Sequence, residues 1–365
     1  MAKAALLIAG SVVVLALVLL VALLIMSPGR PRQLTDEDGA PLPNSISEKT
    51  RVTINGVKQG MFIKGEDASN PVLLYLHGGM PDHFLTQRYP TGLEKHFTVV
   101  WWEQRGSGLS YGPDVPVESI TPDQLVSDTL ALTDHLRERF GQERIYLMGH
   151  SGGTFIGLQA AERSPESYHA YIAIAQMTDQ LESERLAYEF MLERYHELGD
   201  TRMARRLERA PVTGALPLPD EYESVRDVAM HDLGVGTIRE MRSIVTGLLV
   251  ESFLAREYTL GEKIGMWRGK VVSGRRLWNE QLSTDLRSQV RRLEIPVYFV
   301  HGSHDHTVSY PLAKAYLGDL EAPAKGFYTF PESAHSPLFE DPARLERIIT
   351  TDVLAGGSSL ADGDK

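Results

Sequence analysis

RIYLMGHSGGTFIGLQAA, residues 144–161, joins a short apolar run to a helix-forming run through Gly149-His150-Ser151-Gly152-Gly153. The apolar half is of strand length and does not alternate, as in strands buried on both faces. The second half has small and apolar residues at helical spacing. A serine on a tight turn from strand to helix is lifted clear of its neighbours. The glycines around it remove side chains that would strike the strand and the helix, and the helix N-terminus faces any negative charge that develops beside the serine. G-x-S-x-G in this setting predicts a nucleophile at Ser151; without that setting it is a Gly-Ser turn opening any helix.

Outward from this joint the chain repeats one theme. Strand-like runs are read at 50–54, 57–64, 72–77, 97–102, 144–148, 169–175, 295–301 and 326–330. Helical patterns separate several of them. Over 121–140, Thr121 can cap, Pro122 suits the first helical position, and Leu125, Thr129, Leu132 and Leu136 recur at helical spacing. Strands alternating with helices predict an α/β fold: a mostly parallel, eight-stranded sheet with helices on both faces. The alternation stops over 176–290, a charged and helix-prone stretch with a Pro/Gly break at 211–220, read as an inserted helical cap. The sheet core is then 49–175 with 291–354, and 355–365 is read as a flexible tail.

The N-terminus is a separate unit. Residues 4–26 are Ala, Leu, Val and Ile broken only by Gly10 and Ser11, ending at Met26. The run is longer than the 7–15 apolar residues of a signal peptide, and Met26-Ser27-Pro28-Gly29 is a poor cleavage site. It has no polar face for a soluble helix. The expectation is a single-pass transmembrane helix within 1–26, with the lipid bilayer as its partner, and a Pro-, Gly- and Asp-rich linker over 27–48. Lys3 on one side nearly balances Arg30 and Arg32 on the other, and the catalytic domain is placed outside the cytoplasm.

Composition excludes several classes. The 365 residues are 42% hydrophobic and 23% charged, enough to bury a large core. The net charge is −11 and no basic patch stands out, which argues against nucleic acid as a partner. The chain has no cysteine, so disulfides, a thiol nucleophile and thiolate metal sites are excluded.

A serine hydroxyl is a weak nucleophile without a base. On this kind of sheet the acid and then the histidine follow the serine in chain order. Gly302-Ser303-His304-Asp305 follows the run IPVYFVH, and Pro331-Glu332-Ser333-Ala334-His335 follows GFYTF. Both lie on loops past strand C-termini, the edge where open α/β sheets bind ligands. Ser151 would attack a carbonyl carbon, His335 would take and return the proton, and Asp305 would orient the imidazole. The oxyanion donors would be the backbone N–H groups of Gly152 and of Gly79, in the loop His77-Gly78-Gly79-Met80-Pro81. His301-Gly302-Ser303-His304-Asp305-His306 resembles a zinc signature but has Ser where that signature needs a third His, so no metal and no other cofactor are expected.

These residues together resemble the α/β-hydrolase superfamily and, within it, the proline iminopeptidase-like group. The resemblance is carried by LHGGMP (76–81), WEQRGSGLS (102–110), GHSGG (149–153) and the surroundings of Asp305 and His335, and covers about 50–350. It implies cofactor-free hydrolysis through an acyl-enzyme, with release of N-terminal proline or similar residues from short peptides. Two departures stand out: Met80-Pro81 where the group usually has Pro-Gly, and His150 and Gly152 where its nucleophile motif commonly has Gly and Trp. Exopeptidases of the group bind the substrate amine with cap carboxylates, and Glu184 is the candidate here among Glu182, Glu189 and Glu193. The bland alternative for these glutamates is a solvated helix face. Arg105, in the 102–110 block, is read as structural. A second reading is an esterase or lipase-like enzyme with Phe190, Met191, Trp267 and Trp278 lining an acyl pocket, though aromatics at helical spacing are more often cap core. A third is an inactive binding protein on the same scaffold.

Overall fold

The structure of the protein, a computed structural model, describes residues 2–36 and 38–363, with side chains from Ala9 onward. Its centre is one eight-stranded sheet in the order β1-β2-β4-β3-β5-β6-β7-β8. The strands are β1 (Ile46–Ile54), β2 (Val57–Gly65), β3 (Val72–Leu76), β4 (Thr98–Glu103), β5 (Ile145–His150), β6 (Tyr168–Ile174), β7 (Val297–Gly302) and β8 (Lys325–Phe330). All eight fall on the predicted runs to within a few residues.

β1 and β2 form an antiparallel hairpin across Asn55-Gly56, both at positive φ, as the tightest hairpin turns require. β2 also meets β4 antiparallel, and from β4 across to β8 every pairing is parallel. β3, β4, β5 and β7 are buried at every position, which explains their unalternated sequences.

The helices are α1 (Ala2–Ile25), α2 (Pro122–Phe140), α3 (Gly152–Arg163), α4 (Gln180–Glu197), α5 (Thr201–Glu208), α6 (Asp220–Leu233), α7 (Val250–Leu254), α8 (Leu260–Ser283), α9 (Leu286–Gln289), α10 (Tyr310–Asp319), α11 (Pro337–Glu340) and α12 (Pro342–Ile348). α2 begins and ends as its sequence dictates. Thr121 Oγ1 accepts from Gln124 N at 3.2 Å, and Gly141 at φ 64° turns the chain out at the far end. Leu125, Leu132 and Leu136 of α2 pack with Leu158 of α3 and Tyr316 of α10 on one face of the sheet. Leu345 and Ile348 of α12 pack with Tyr75, Trp101 and Tyr328 on the other. Between β6 and β7 the chain leaves the sheet for α4–α9, which hold a small core of their own around Met191, Tyr195, Tyr222 and Met230.

Two peripheral segments differ from the sequence expectation. The tail is not free up to Asp362: Leu360 N donates to Asp352 Oδ2 at 2.8 Å, and Thr329 of β8 donates from its hydroxyl to Asp362. The segment after α1 is docked as well, with Gly29 N donating to Arg256 O at 3.1 Å and Arg32 N to Glu257 Oε1 at 2.8 Å. Polar composition signalled solvent, but a few specific backbone hydrogen bonds hold both segments.

The expected transmembrane span over 4–26 falls only partly on described side chains. Among the described residues no helix is long and apolar enough to cross a membrane. The described side chains of α1 run from Ala9 to Ile25, roughly 25 Å of helix against a ~30 Å hydrocarbon core. The expected span over 4–26 reaches back into residues whose side chains lie outside the described ones.

Candidate active site

β5 ends at His150, α3 begins at Gly152, and Ser151 between them has φ 54° and ψ −124°. A residue with a Cβ rarely holds such angles, and the cost persists only where the surroundings enforce it. They do here. Ser151 N donates to Ile174 O at 2.9 Å, and Ser151 O accepts from Thr154 N at 2.8 Å and Thr154 Oγ1 at 2.6 Å. A Cβ on Gly149 would lie 2.8 Å from Thr154 Cα, so only glycine lets helix and strand approach at this corner.

The loop after β3 lies against this turn. A Cβ on Gly78 would stand 2.8 Å from Ser151 Cβ and 3.2 Å from its Oγ, and one on Gly152 would stand 3.6 Å from Gly78 C. The Gly79 and Gly152 amides expected as oxyanion donors therefore belong to two segments in contact beside the serine. His77 and Gln104 hold the first of them. Gln104 Nε2 donates to His77 O at 2.8 Å, and Gln104 N donates to His77 Nε2 at 3.1 Å. With Nε2 accepting, Nδ1 carries the proton and donates to Gly78 O at 2.9 Å. Burial lowers the His77 pKa to about 4, only partly offset by Asp82, so the ring is neutral.

Asp305 and His335 meet. His335 Nδ1 lies 2.9 Å from Asp305 Oδ2, and Asp305 Oδ1 accepts from Thr307 N and Val308 N, each at 2.9 Å. Burial alone would raise the Asp305 carboxyl, but His335 and His301 outweigh it and hold it well below the usual carboxylate range. Burial lowers His335 despite Asp305, leaving a neutral imidazole. The Ser151 hydroxyl forms no hydrogen bond among the described residues. Ser151 and His335 line one cavity of about 540 Å³ together with Gly78, Gly79 and Gly152. Nucleophile–base bonds of this kind commonly tighten only around substrate.

Four supporting residues were missed or misread from sequence. His301, noticed only for its resemblance to a zinc ligand, places Nε2 3.1 Å from Asp305 Oδ2. His150, the variable position of G-x-S-x-G, lies with Nδ1 2.9 Å from Asp82 Oδ2 and Nε2 3.2 Å from His335 O. Glu340 Oε1 accepts from Ala334 N at 2.9 Å, steadying the His335 loop, and burial raises its pKa to about 7. Gln104 stood inside the 102–110 block with no role assigned to it. Its neighbour Arg105 is structural, donating to both oxygens of buried Asp128 at 2.6 and 2.9 Å.

The expected amine anchor is placed elsewhere. Glu184 is fully buried and outside the cavity wall, accepting from Arg226 Nε and Nη2 at 2.5 Å each, Tyr222 OH at 2.8 Å and Gln180 Nε2 at 2.8 Å. Its charge is already met. The insertion instead presents Glu223 and Asp227 to the cavity, beside Arg226 and Lys270. Of the four large side chains considered for an acyl pocket, only Trp278 reaches the cavity, bonded through Nε1 to Glu223 Oε1 at 2.9 Å. Met191 lies in the core of the insertion, Trp267 donates to Ser252 Oγ, and Phe190 stacks on His306.

A mostly parallel eight-stranded sheet with a serine strained at the β5–α3 turn defines an enzyme of the α/β-hydrolase class. Residues 70–238 match the family described as serine aminopeptidase, S33. A probable aminopeptidase YbaC of Bacillus subtilis (strain 168) is 30% identical over 306 residues, covering 83% of this chain and 95% of the relative. The proline iminopeptidase-related protein of Thermus thermophilus superposes with a TM-score of 0.55 at 23% identity, over 85% of this chain and 98% of the other. The proline iminopeptidase of Mycobacterium smegmatis does so at 0.53 and 16% identity, over 84% and 98%. The chain belongs to the S33 serine aminopeptidase family of α/β-hydrolases.

Proposed function

We propose that the protein is a cofactor-free serine hydrolase that removes N-terminal residues, proline or similar, from short peptides through an acyl-enzyme on Ser151. Ser151 Oγ attacks the carbonyl carbon while its proton passes to His335, Asp305 holds the imidazole, and the Gly79 and Gly152 amides receive the oxyanion. The observation that carries this reading is the serine strained at φ 54° in the same cavity as a buried His335–Asp305 pair. Glu223 and Asp227 line the cavity wall and are the candidates in the insertion to meet a substrate amine, Asp227 while pairing with Arg226 Nη1 at 2.8 Å. The likeness to a probable aminopeptidase supports the same reaction class. Hydrolysis of proline β-naphthylamide, lost in Ser151→Ala, tests it.

A second reading is an esterase of small acyl esters. It draws support from Met80, Phe84, Leu85, Met177 and Leu248 along the cavity wall, which make an apolar surface that an acyl chain could cover. Faster turnover of short p-nitrophenyl esters than of aminoacyl amides would select it. An inactive scaffold predicts that a fluorophosphonate fails to label Ser151.

We also propose that α1 anchors the protein in a membrane, with the hydrolase outside the cytoplasm. Its backbone is helical over 24 residues, and Val12, Leu15, Val18 and Ile25 are exposed around it. Lys263 Nζ receives its end, donating to Met26 O at 3.0 Å and Ser27 Oγ at 2.9 Å. Membrane fractionation of the full chain against a form starting at residue 30 tests the anchor, and protease protection tests the side.

A further inference from the structure

α8 runs from the outer sheet to the active site and is fastened to β1 at its start and to the turn after β4 at its middle. At its start Thr259 and Glu262 form a capping box, and Glu262 pairs with Lys49 at 2.9 Å and Arg51 at 2.8 Å on β1. At its middle Gly269 lies on the Gly106–Gly108 turn, where a Cβ would stand 2.7 Å from Gly106 O, and Ser273 Oγ donates to Gly106 O at 3.0 Å. The glycine-rich turn of the 102–110 block is thus the bed on which α8 rests. A helix held this way places the groups near its end with little freedom, as catalytic positioning requires.

Near that end stands Gln281. Its Nε2 is 3.1 Å from the point where a Cβ on Gly152 would lie, and the backbone carbon of Gly78 is 3.6 Å from the same point. The carboxamide thus sits over the cradle formed by the Gly78–Gly79 and Gly152 segments. Gln281 is half-buried in the cavity wall, and its carboxamide forms no hydrogen bond among the described residues. A donor with no protein partner, held beside the two oxyanion amides, is preorganised for charge that appears only during reaction.

We propose that Gln281 donates a third hydrogen bond to the oxyanion. This rests on Ser151 being the nucleophile. As the Ser151 Oγ–carbon bond forms, the hydroxyl proton passes to His335 Nε2 and the carbonyl π pair moves onto oxygen, where Gly79 N–H, Gly152 N–H and the Gln281 amide meet it. When the oxyanion collapses, the carbonyl re-forms, the bond to the leaving amine or alkoxide breaks, and that group takes the proton from His335. Gln281 holds charge and transfers no proton.

The test measures the second-order rate at which a fluorophosphonate labels Ser151 in the full chain. Ser151 Oγ displaces fluoride from phosphorus, and the phosphoryl oxygen occupies the oxyanion cradle. Removing one donor of this kind slows reaction by roughly 10²–10³-fold. Gln281→Ala is therefore expected to label at least tenfold more slowly, with melting temperature unchanged within a few degrees. Gln281→Glu keeps the shape but loses the donor when ionised; its rate relative to the parent, measured at each pH, should recover below about pH 5, where its carboxyl can donate again. Labelling of Gln281→Ala at the parent rate, or of Gln281→Glu at the parent rate near neutral pH, overturns the proposal, as does slow labelling of Gln281→Glu with no recovery at low pH. A parent protein that is not labelled at all overturns the Ser151 reading itself, and the proposal with it.

Discussion

Gly78 passes so close to Ser151 that a Cβ at position 78 would lie 2.8 Å from the serine Cβ, whereas one at Gly79 would meet nothing within 4 Å. Two adjacent glycines therefore have different reasons to be glycine. Gly78→Ala forces the Ser151 turn and the loop after β3 apart. A displacement near 1 Å costs on the order of 10²-fold in rate. Gly78→Ala should lose about that much in kcat, and Gly79→Ala far less, since it keeps its N–H and gains no clash. Steady-state kinetics on the two variants check this, and equal losses would remove the steric argument.

Asp305 holds His335 by one 2.9 Å contact and is itself held by two backbone amides. Asp305→Asn keeps the shape but offers a donor or a neutral acceptor where an anion stood. A change of this type in a Ser-His-Asp site lowers kcat by roughly 10⁴-fold through the wrong imidazole tautomer. The expected result is a loss of that order with binding little altered. A loss under tenfold would mean that His301 or another neighbour orients the ring instead.

In the proposed mechanism the active form of His335 is the neutral imidazole. Burial lowers its pKa and Asp305 only partly restores it. The acid limb of kcat/KM should accordingly lie below the ordinary imidazole value near 6.5. In Asp305→Asn the restoring anion is gone, so the limb of the residual activity should move lower still. A limb that rises in the variant would contradict the balance of burial against the Asp305 charge.

The sheet and the placing of Ser151, Asp305 and His335 at its C-terminal edge were legible because each depends on local sequence: buried strands, a glycine turn, a loop past a strand end. What failed was long-range. Glu184 has the spacing of an accessible helix carboxylate, but Arg226, 42 residues on, folds back and takes it. Gln281 and Glu340 carry no motif, because their places are set by how α8 packs on Gly106 and where the loop after β8 turns. The chain after α1 and the tail read as solvated because their composition is polar, yet a few hydrogen bonds, among them those to Glu257 and Asp352, dock them.

Arg105 bears on stability more than on chemistry. Asp128 is fully buried and accepts from Arg105, Asn55 Nδ2, Gln59 Nε2 and Gln124 Nε2. Removing the one cation leaves a buried carboxylate with neutral donors only, a change that costs about 3–5 kcal/mol. Arg105→Ala should lose stability in that range by denaturant unfolding. Arg105→Met with Asp128→Leu should recover much of it, because the pair balances its own desolvation. If the double variant is no better than Arg105→Ala, the network does more than neutralise charge.

Glu103 joins the bed of α8 to the start of that helix, and this makes the fold sensitive to pH. Its carboxyl accepts from Leu109 N and from Tyr258 OH, each at 2.5 Å, and burial raises its pKa to about 8. The unfolded value is near 4.5. Between these values the folded state holds one more proton than the unfolded state, so stability falls as pH rises through that window and levels off above it. Glu340, raised to about 7, acts in the same direction. Gln at 103 is neutral at every pH, can accept from Leu109 N and can donate to the Tyr258 oxygen. Glu103→Gln should therefore lose less melting temperature than the parent between pH 5 and pH 9, by several degrees, leaving the Glu340 contribution in both. Because α8 carries Gln281, the same variant should hold its activity further up the alkaline side. Parallel melting curves for parent and variant would show that Glu103 does not set this dependence.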